Sequence, residues 1–523
     1  MSATSDGPPG DDPTETLAEG PNDDEPRITF YGGRGMSALP IAVFIVWAIT
    51  QTALWRISDT GGLIVGILIG LILGMFFVRG DWKTYANTIF EGMTQPVAVT
   101  AIVAWIWAGI FAELLQDGGF VDGLVWFADA AGVGASLFPA ITFVLAALFT
   151  TGIGTGYGAT VAFVGLFFPA GVLLGANPVL MFGAILSGAI FGDNLAPVSD
   201  TTIVSAVTQD ADIGGVVASR FKYVIIAAAV AFVGYVVAGQ AMAGLELGEQ
   251  ARQLLAAESR PIGLVHLISM LVVIGAAVAG RHIVEAISWG IVVAIAFNLV
   301  FGLTSLSDIL LFQAPPDAPL AEPLAGLPIV TVVTEPDAVG VTGSMMNGVS
   351  GFLELSILVL FIIGAAQIMI RGGAFDAILD WSLENLATNV RNAELTMVGS
   401  AALINAIITI NTAAEVAIGP YISKIGERFN LNGYRRANIL DGQTAALGYI
   451  FPWSGGVLAG YTAMQDLPGQ YEWFEQGMLV TPIDVVPFVF QGWLLVAVFI
   501  IAAVTGFGRE YVIDRESEEV ARV

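Results

Sequence analysis

The sequence contains no cysteine, which removes disulfides, thiol catalysis and thiolate metal sites from consideration. It has two histidines, His266 and His282, near the ends of apolar runs and far in sequence from the other polar motifs. No Ser-His or metal-ligand constellation of a hydrolase can be assembled from them. Lysine is nearly missing: Lys83, Lys222 and Lys424 stand among 19 basic residues, against 45 acids, for a net charge of -26. Nucleic acid and anionic surfaces are poor partners for such a chain. A lysine-poor, acidic surface suits a very salty cytoplasm, where salt screens self-repulsion, so a halophilic source is expected. Charged residues of both signs make up only 12% of the 523 residues. The N-terminal stretch lacks the charged-then-apolar form of a cleaved signal peptide, so none is expected.

What fills the chain is apolar. Hydrophobic residues reach 56% and mean hydropathy is +0.78, far from the balance of a soluble domain. The apolar runs are about 17 to 25 residues long, as a bilayer's hydrocarbon core demands of helices. Barrel strands would be about 10 residues with alternating polarity. An all-α polytopic protein of the cell membrane is expected, with the lipid bilayer as its solvent.

Helices are predicted near 36–55, 61–78, 94–115, 221–243, 262–280, 285–303, 350–370 and 484–505, with interrupted segments at 133–171, 178–217, 394–423 and 437–462. That makes about 10 crossings plus two hairpins. Flanking arginines and lysines put both termini in the cytoplasm and leave Arg56, Arg252 and Arg260 outside, the bias of the positive-inside rule. The predicted organisation is an acidic disordered cytoplasmic tail (1–35), two helices (36–80), a first repeat (94–243), linking helices and an external loop (244–349), a second repeat (350–505) and a cytoplasmic tail (506–523). A homodimer is left open.

Shifted by about 254 residues, the chain resembles itself. Gly118-Gly119 and Asp122 fall on Gly372-Gly373 and Asp376, Ile185-Leu186-Ser187-Gly188 on Ile439-Leu440-Asp441-Gly442, and, one insertion later, Pro197 and Ser199 on Pro452 and Ser454. The two copies have opposite sidedness by their flanking charges. Inverted repeats with discontinuous helices are an architecture of secondary transporters, whose sites lie where the breaks meet. Broken backbone at membrane depth survives only where it lines a cavity or binds something.

The candidate chemistry sits at those breaks. Asp193 and Asp200 flank Pro197, with Asn194, Ser199, Thr201 and Thr202 adding neutral oxygen of the kind hard cations prefer. The plainer reading is that Ser199 or Asp200 caps the half-helix that follows. Asn405, Thr409, Thr412 and Glu415 recur at helical spacing on one face, with Asn411 four before Glu415; such a stripe also glues helices. Asp441 is a further candidate, although Arg435 and Arg436 lie close enough in sequence to pair with it. Thr155 and Tyr157, in the glycine-rich TTGIGTGYGAT, and Trp453 with Ser454 at the second break are candidate cavity-lining residues. The GxGxxA spacing at Gly154, Gly156 and Ala159 mimics a dinucleotide loop, but it follows a long apolar run instead of a strand. No basic residue falls near either break in sequence, which disfavours a carboxylate-bearing substrate.

GTGYGATVAFVG (154–165), SGAIFGDNLAPVSDTT (187–202) and LDGQTAALGYIFPWSGGVLAG (440–460) resemble the NhaC-type sodium/proton antiporters. The resemblance implies exchange of cytoplasmic Na+ for external H+, no resident cofactor and no enzymatic activity, with Asp193, Asp200, Thr201 and Thr202 leading the ion site and Asp193 and Asp200 holding the Na+. Asn194 stands where the family commonly has lysine, and Glu415 where it often has aspartate. Relatives also exchange organic acids or amino acids, so these departures bear on the substrate more than on the fold.

Overall fold

A computed structural model describes residues 28–512, apart from 58, 198, 243–260, 280, 319–326 and 336–337. The acidic tail up to residue 27, Arg252, Arg260 and the tail from 513 lie outside the described residues. Helices dominate: α1 (Leu39–Ile49), α2 (Thr60–Phe76), α3 (Trp82–Met93), α4 (Pro96–Asp117), α5 (Phe120–Ala130), α6 (Phe138–Ile153), α7 (Gly156–Leu173), α8 (Pro178–Leu195), α9 (Asp200–Thr208) and α10 (Ile213–Met242). Further along the chain come α11 (His266–Val278), α12 (Ile283–Val300), α13 (Ser344–Ser350), α14 (Leu353–Arg371), α15 (Ala374–Asn385), α16 (Val390–Ile408), α17 (Asn411–Arg428), α18 (Gly433–Leu447), α19 (Gly455–Gln465) and α20 (Phe490–Thr505).

Among the described residues seven helical spans are long and apolar enough to cross a membrane, and four shorter apolar helices accompany them. Burial separates centre from rim. Every residue of α7 is buried, whereas only 28% of α12 is. A helix apolar all round belongs in the middle of a bundle, and one with a wide exposed apolar face is ready for lipid.

Two features depart from the sequence reading. The expectation of an all-α chain fails in the 304–348 loop. There β1 (Leu311–Ala314) pairs in parallel with β2 (Val330–Val332) and antiparallel with β3 (Gly340–Thr342). The β-branched runs Ile-Val-Thr-Val-Val and Val-Gly-Val-Thr between prolines favour that extended pairing. The second feature is α3, amphipathic and started by Asp81, whose carboxylate accepts the Lys83 N–H at 2.9 Å; the sequence analysis assigned it no helix.

The helix order recurs in the two halves. Each has a long helix and a short one (α4, α5; α14, α15), then two helices joined across a two-residue break (α6, α7; α16, α17), then a pair split by an irregular segment (α8, α9; α18, α19). Gly154 ends α6 in the left-handed region at φ 73°, and Thr409 ends α16 likewise at φ 66°. Only glycine enters that region without strain, so Thr409 marks a backbone held by its surroundings: its carbonyl accepts the Gly455 N–H at 3.0 Å, tying this break to the start of α19.

The halves interlock. α17 and α18 pack on α9, α19 packs on α7, and α10 packs on both α8 and α18. At one end of α18, Glu394 on α16 bridges Arg435 at 2.7 Å and Arg509 at 2.8 Å, while Glu510 meets Lys222 at 2.8 Å. The chain after α20 is thereby strapped onto α10, α16 and α18.

Candidate functional site

Two irregular segments, around Pro197 and at 448–454, bring the polar residues of both halves together. Asp193 occupies the last turn of α8 and is 3% exposed. Its Oδ1 accepts the Ser199 hydroxyl at 2.7 Å and its Oδ2 the Tyr449 hydroxyl at 3.2 Å. Ser199 stands at the N-cap of α9 without making a cap bond, because its hydroxyl is spent on Asp193. Asp200, the first residue of α9, accepts the Thr201 N–H at 3.0 Å and the Thr412 hydroxyl of α17 at 2.6 Å. Asp200 is half-buried and Pro197 exposed, whereas Asp193 is buried. Thr201 lies 3.0 Å from the Ser199 hydroxyl, and the Thr202 hydroxyl reaches the Asp193 carbonyl at 3.3 Å.

Glu415 and Asp441 belong to α17 and α18 and are both fully buried. Thr444 donates to Glu415 Oε1 at 2.6 Å. Asp441 Oδ2 is paired with Arg220 of α10. The guanidinium also donates to the Asn194 carbonyl at 2.9 Å, Ser205 at 3.1 Å and Asn438 at 3.3 Å. Arg220 thus satisfies a carbonyl freed where α8 ends and ties it to α9 and α18. Asp193 lies within electrostatic reach of Asp200 and Asp441, and Glu415 within reach of Asp441 and Asp200. Four carboxylates therefore face one paired guanidinium in a buried setting, where an uncompensated charge costs several kcal/mol, roughly, per ion.

Several buried polar atoms here have no hydrogen-bond partner: Asn194 Oδ1, both side-chain atoms of Asn411, Asn405 Oδ1, Glu415 Oε2, Asp441 Oδ1 and both side-chain atoms of Gln443. Buried polar groups are normally satisfied, so these are the atoms of the cluster free to meet a ligand or water. Most of these atoms are oxygens, the donor set of a hard monovalent cation. Among the described residues no three His, Cys, Asp or Glu side chains converge as a metal site.

Backbone approach at this crossing is close. A Cβ on Gly156 would lie 1.9 Å from the Tyr449 hydroxyl and 3.0 Å from Asp193 Oδ2, and one on Gly448 would lie 1.6 Å from Asn411 Oδ1. Tyr157 packs on Tyr449 at 5.6 Å between ring centres and on Trp105 at 5.7 Å; its hydroxyl accepts the Asn411 N–H at 3.2 Å.

Some expectations change. Asp441 pairs with Arg220, while Arg435 goes to Glu394 and Arg436 to Glu427. The helix breaks at Thr409, so the stripe from Asn405 to Glu415 is not one helical face. Asn405 on α16 still meets the same neighbour, donating to the Thr444 carbonyl. Trp453 fastens the second break to α16, with its indole N–H on the Ala406 carbonyl at 3.0 Å and its ring stacked on Phe451. Ser454 donates to the Phe451 carbonyl at 2.7 Å and closes that turn. Thr155 sits at the N-cap of α7, beside Gly158. Sequence reasoning missed Arg220, Tyr449 and Thr444. Nothing in the spacing of Arg220 links it to residues 15 to 26 positions back or 218 to 221 ahead.

Known proteins resemble this chain. The chain is 28% identical over 176 residues to the Na+/H+ antiporter NhaC of Alkalihalophilus pseudofirmus, covering 32% of this chain and 36% of that protein. It is 27% identical over 206 residues to the malate-2H+/Na+-lactate antiporter of Bacillus subtilis, covering 38% and 43%. These matches span less than half of either relative. The arginine/ornithine antiporter ArcD of Halobacterium salinarum aligns over 90% of this chain and 94% of its own length at 24% identity. The Na+/H+ antiporter family matches residues 30–240 and 241–493. This integral membrane protein, helical and built around interrupted helices, belongs to the Na+/H+ antiporter family.

Proposed function

We propose that the protein is an ion-coupled antiporter that expels cytoplasmic Na+ in exchange for external H+. The observation that carries this reading is the excess of buried carboxylate over cation where the two halves cross. Asp193 and Asp200, with Ser199, Thr201, Thr202, Thr412 and the side-chain oxygens of Asn194 and Asn411, supply carboxylate and neutral oxygen for Na+. Protons and Na+ are alternative ways to offset the same negative charge, so occupancy by one excludes the other and their opposite movements are coupled.

The two halves are read as inverted repeats with both termini in the cytoplasm. The natural absence of cysteine makes the orientation easy to test. Single cysteines placed in the 304–348 loop should label from outside, and those at residues 430 and 510 only from inside.

A second reading is exchange of a charged organic metabolite, favoured by the nearly full-length match to ArcD. Arg220 provides the buried base that a carboxylate substrate would want. Its donors, however, are already committed to Asp441, Asn194, Ser205 and Asn438, so the acidic site favours cationic cargo. Proteoliposomes with an imposed pH gradient separate the readings. Addition of Na+ is expected to dissipate the gradient. Dissipation by arginine, ornithine, malate or lactate without any response to Na+ would replace the first reading with the second.

A further inference from the structure

The chain after α20 turns back through two left-handed glycines, Gly506 at φ 80° and Gly508 at φ 63°, and runs across the joint between the halves. Glu510 holds both sides of that joint at once. Its carboxylate accepts the Lys222 ammonium of α10 at 2.8 Å and the side-chain amide of Asn432, the N-cap of α18, at 3.1 Å. Tyr223 of α10 donates its hydroxyl to the Gly508 carbonyl at 2.9 Å and accepts from Arg435 of α18 at 2.7 Å. The Asn432 N–H donates to the Glu510 carbonyl, and the Val512 N–H to the Asn430 carbonyl, both at 3.0 Å. The segment is thus paired with the loop that joins α17 to α18, the helices bearing Thr412, Glu415 and Asp441.

At the same end of the bundle α9 closes on α17. The fully buried Gln209 donates its side-chain amide to the Gly419 carbonyl at 2.9 Å, and its own carbonyl accepts Arg436 of α18 at 2.9 Å. Gly419 lies about one helical turn beyond Glu415, and a Cβ added there would stand 2.8 Å from the Thr208 side chain. Alternating access parts one half of a carrier from the other around the site. Cargo passing by this end therefore requires α9 and α17 to separate, and the segment across the joint opposes it.

The ion pairs of the segment differ in kind. Arg509 meets Glu394, whose side chain is fully buried, at 2.8 Å, whereas Lys222 and Glu510 are 36% and 32% exposed. A pair open to water holds weakly, so the root of the segment is fixed and its tip is free to let go. We propose that residues 506–512 form a latch, anchored at Arg509, that keeps the seam between α9 and α17 shut, and that release of Glu510 from Lys222 and Asn432 precedes passage of cargo by this end. That this end is cytoplasmic and that the cargo is Na+ rest on the Na+/H+ reading above; the latch does not.

Two measurements on the full-length protein test this. Leu431 and Tyr511 are antiparallel bridge partners flanked by the two backbone hydrogen bonds just described. Such a non-hydrogen-bonded pair has Cα atoms about 4.5 Å apart, within disulfide range. In this cysteine-free chain, Leu431→Cys combined with Tyr511→Cys is expected to transport in proteoliposomes when reduced, to stop when oxidised and to recover with reductant. Transport by the fully oxidised protein at the reduced rate would overturn the proposal. The second measurement needs no transport. Thr208→Cys puts a thiol at the seam, and adding Glu510→Ala should raise severalfold the rate at which a membrane-impermeant maleimide labels it. An unchanged rate would also overturn the latch. Labelling from the outer side alone would instead reverse the assigned orientation, and a reduced protein that moves arginine or malate but not Na+ would replace the cargo, with the latch still decided by the two rates.

Discussion

Arg220 and Asp441, 221 residues apart in sequence, form an ion pair in which both side chains are fully buried. The pair joins α10 of the first half to α18 of the second, and the same guanidinium holds the carbonyl at the end of α8. Charge compensation and the closure of a broken helix therefore depend on one residue.

Removing one partner of such a pair leaves an isolated buried charge, which costs about 3–5 kcal/mol. Arg220→Gln is expected to lose stability on that scale in detergent-solubilised protein, read from denaturant or thermal unfolding. The double variant Arg220→Gln with Asp441→Asn should recover a large part of it. Wild-type stability in the single variant would refute the structural role of the pair.

Asp193→Asn and Asp200→Asn are each expected to abolish Na+-dependent proton flux in proteoliposomes while the protein still folds, as judged by gel filtration. Unaltered flux in both would end the site assignment. Ser199→Ala and Tyr449→Phe each remove one donor to the Asp193 carboxylate, a bond contributing about 1.5–3 kcal/mol. Each variant is expected to lose stability on that scale, read from thermal unfolding in detergent, and an unchanged unfolding temperature in both would show that these donors do not hold the carboxylate.

Gly156 is required by space. Its helix-starting position puts an added methyl 1.9 Å from the Tyr449 hydroxyl, so Gly156→Ala must push that ring away from Asp193. Transport should fall at least as far as in Tyr449→Phe. If Tyr449→Phe is already present, Gly156→Ala should cause a smaller further loss, because the clashing oxygen is gone. Equal losses in both backgrounds would show that the hydroxyl is not the obstacle.

Outside the membrane spans, Asp212 accepts the Tyr434 hydroxyl and, at 2.7 Å, the Gly215 N–H at the start of α10. The Tyr434 hydrogen bond, helped by the Gly215 N–H, holds the Asp212 carboxyl below its usual range. A lowered folded-state value means that the contribution to stability is present above the ordinary carboxylate pKa and fades as pH falls through the lowered one. Tyr434→Phe should flatten the acid side of the profile of unfolding temperature against pH. An unchanged acid limb would show that Asp212 is not linked to folding.

Much of the candidate site was legible because the residues stand at breaks. Pro197 between two aspartates and the glycine-rich run around Gly154 are poorly suited to undisturbed lipid-facing helix, and the structure interrupts the helices there. Asn405 to Glu415 misled because helical spacing was counted through Thr409, and no threonine signals a left-handed backbone on its own. The small sheet at 311–342 was missed because its strands are only three or four residues long, too short for an alternating pattern to stand out. Tyr449 was missed because no local pattern links it to Asp193, 256 positions back.

Composition and apolar run length determined that this chain is a polytopic helical membrane protein, since hydrocarbon solvent leaves few other ways to satisfy a backbone. The broken segments and the recurrence between halves followed from local chemistry, because proline, glycine and clustered polar groups at membrane depth each demand a reason. Only the tertiary structure decided which charges meet. Pairing across some 220 residues depends on the packing of α10 against α8 and α18, and no local pattern encodes it. That packing gave Asp441 its arginine, Asp193 its tyrosine and Glu415 the hydroxyl of Thr444.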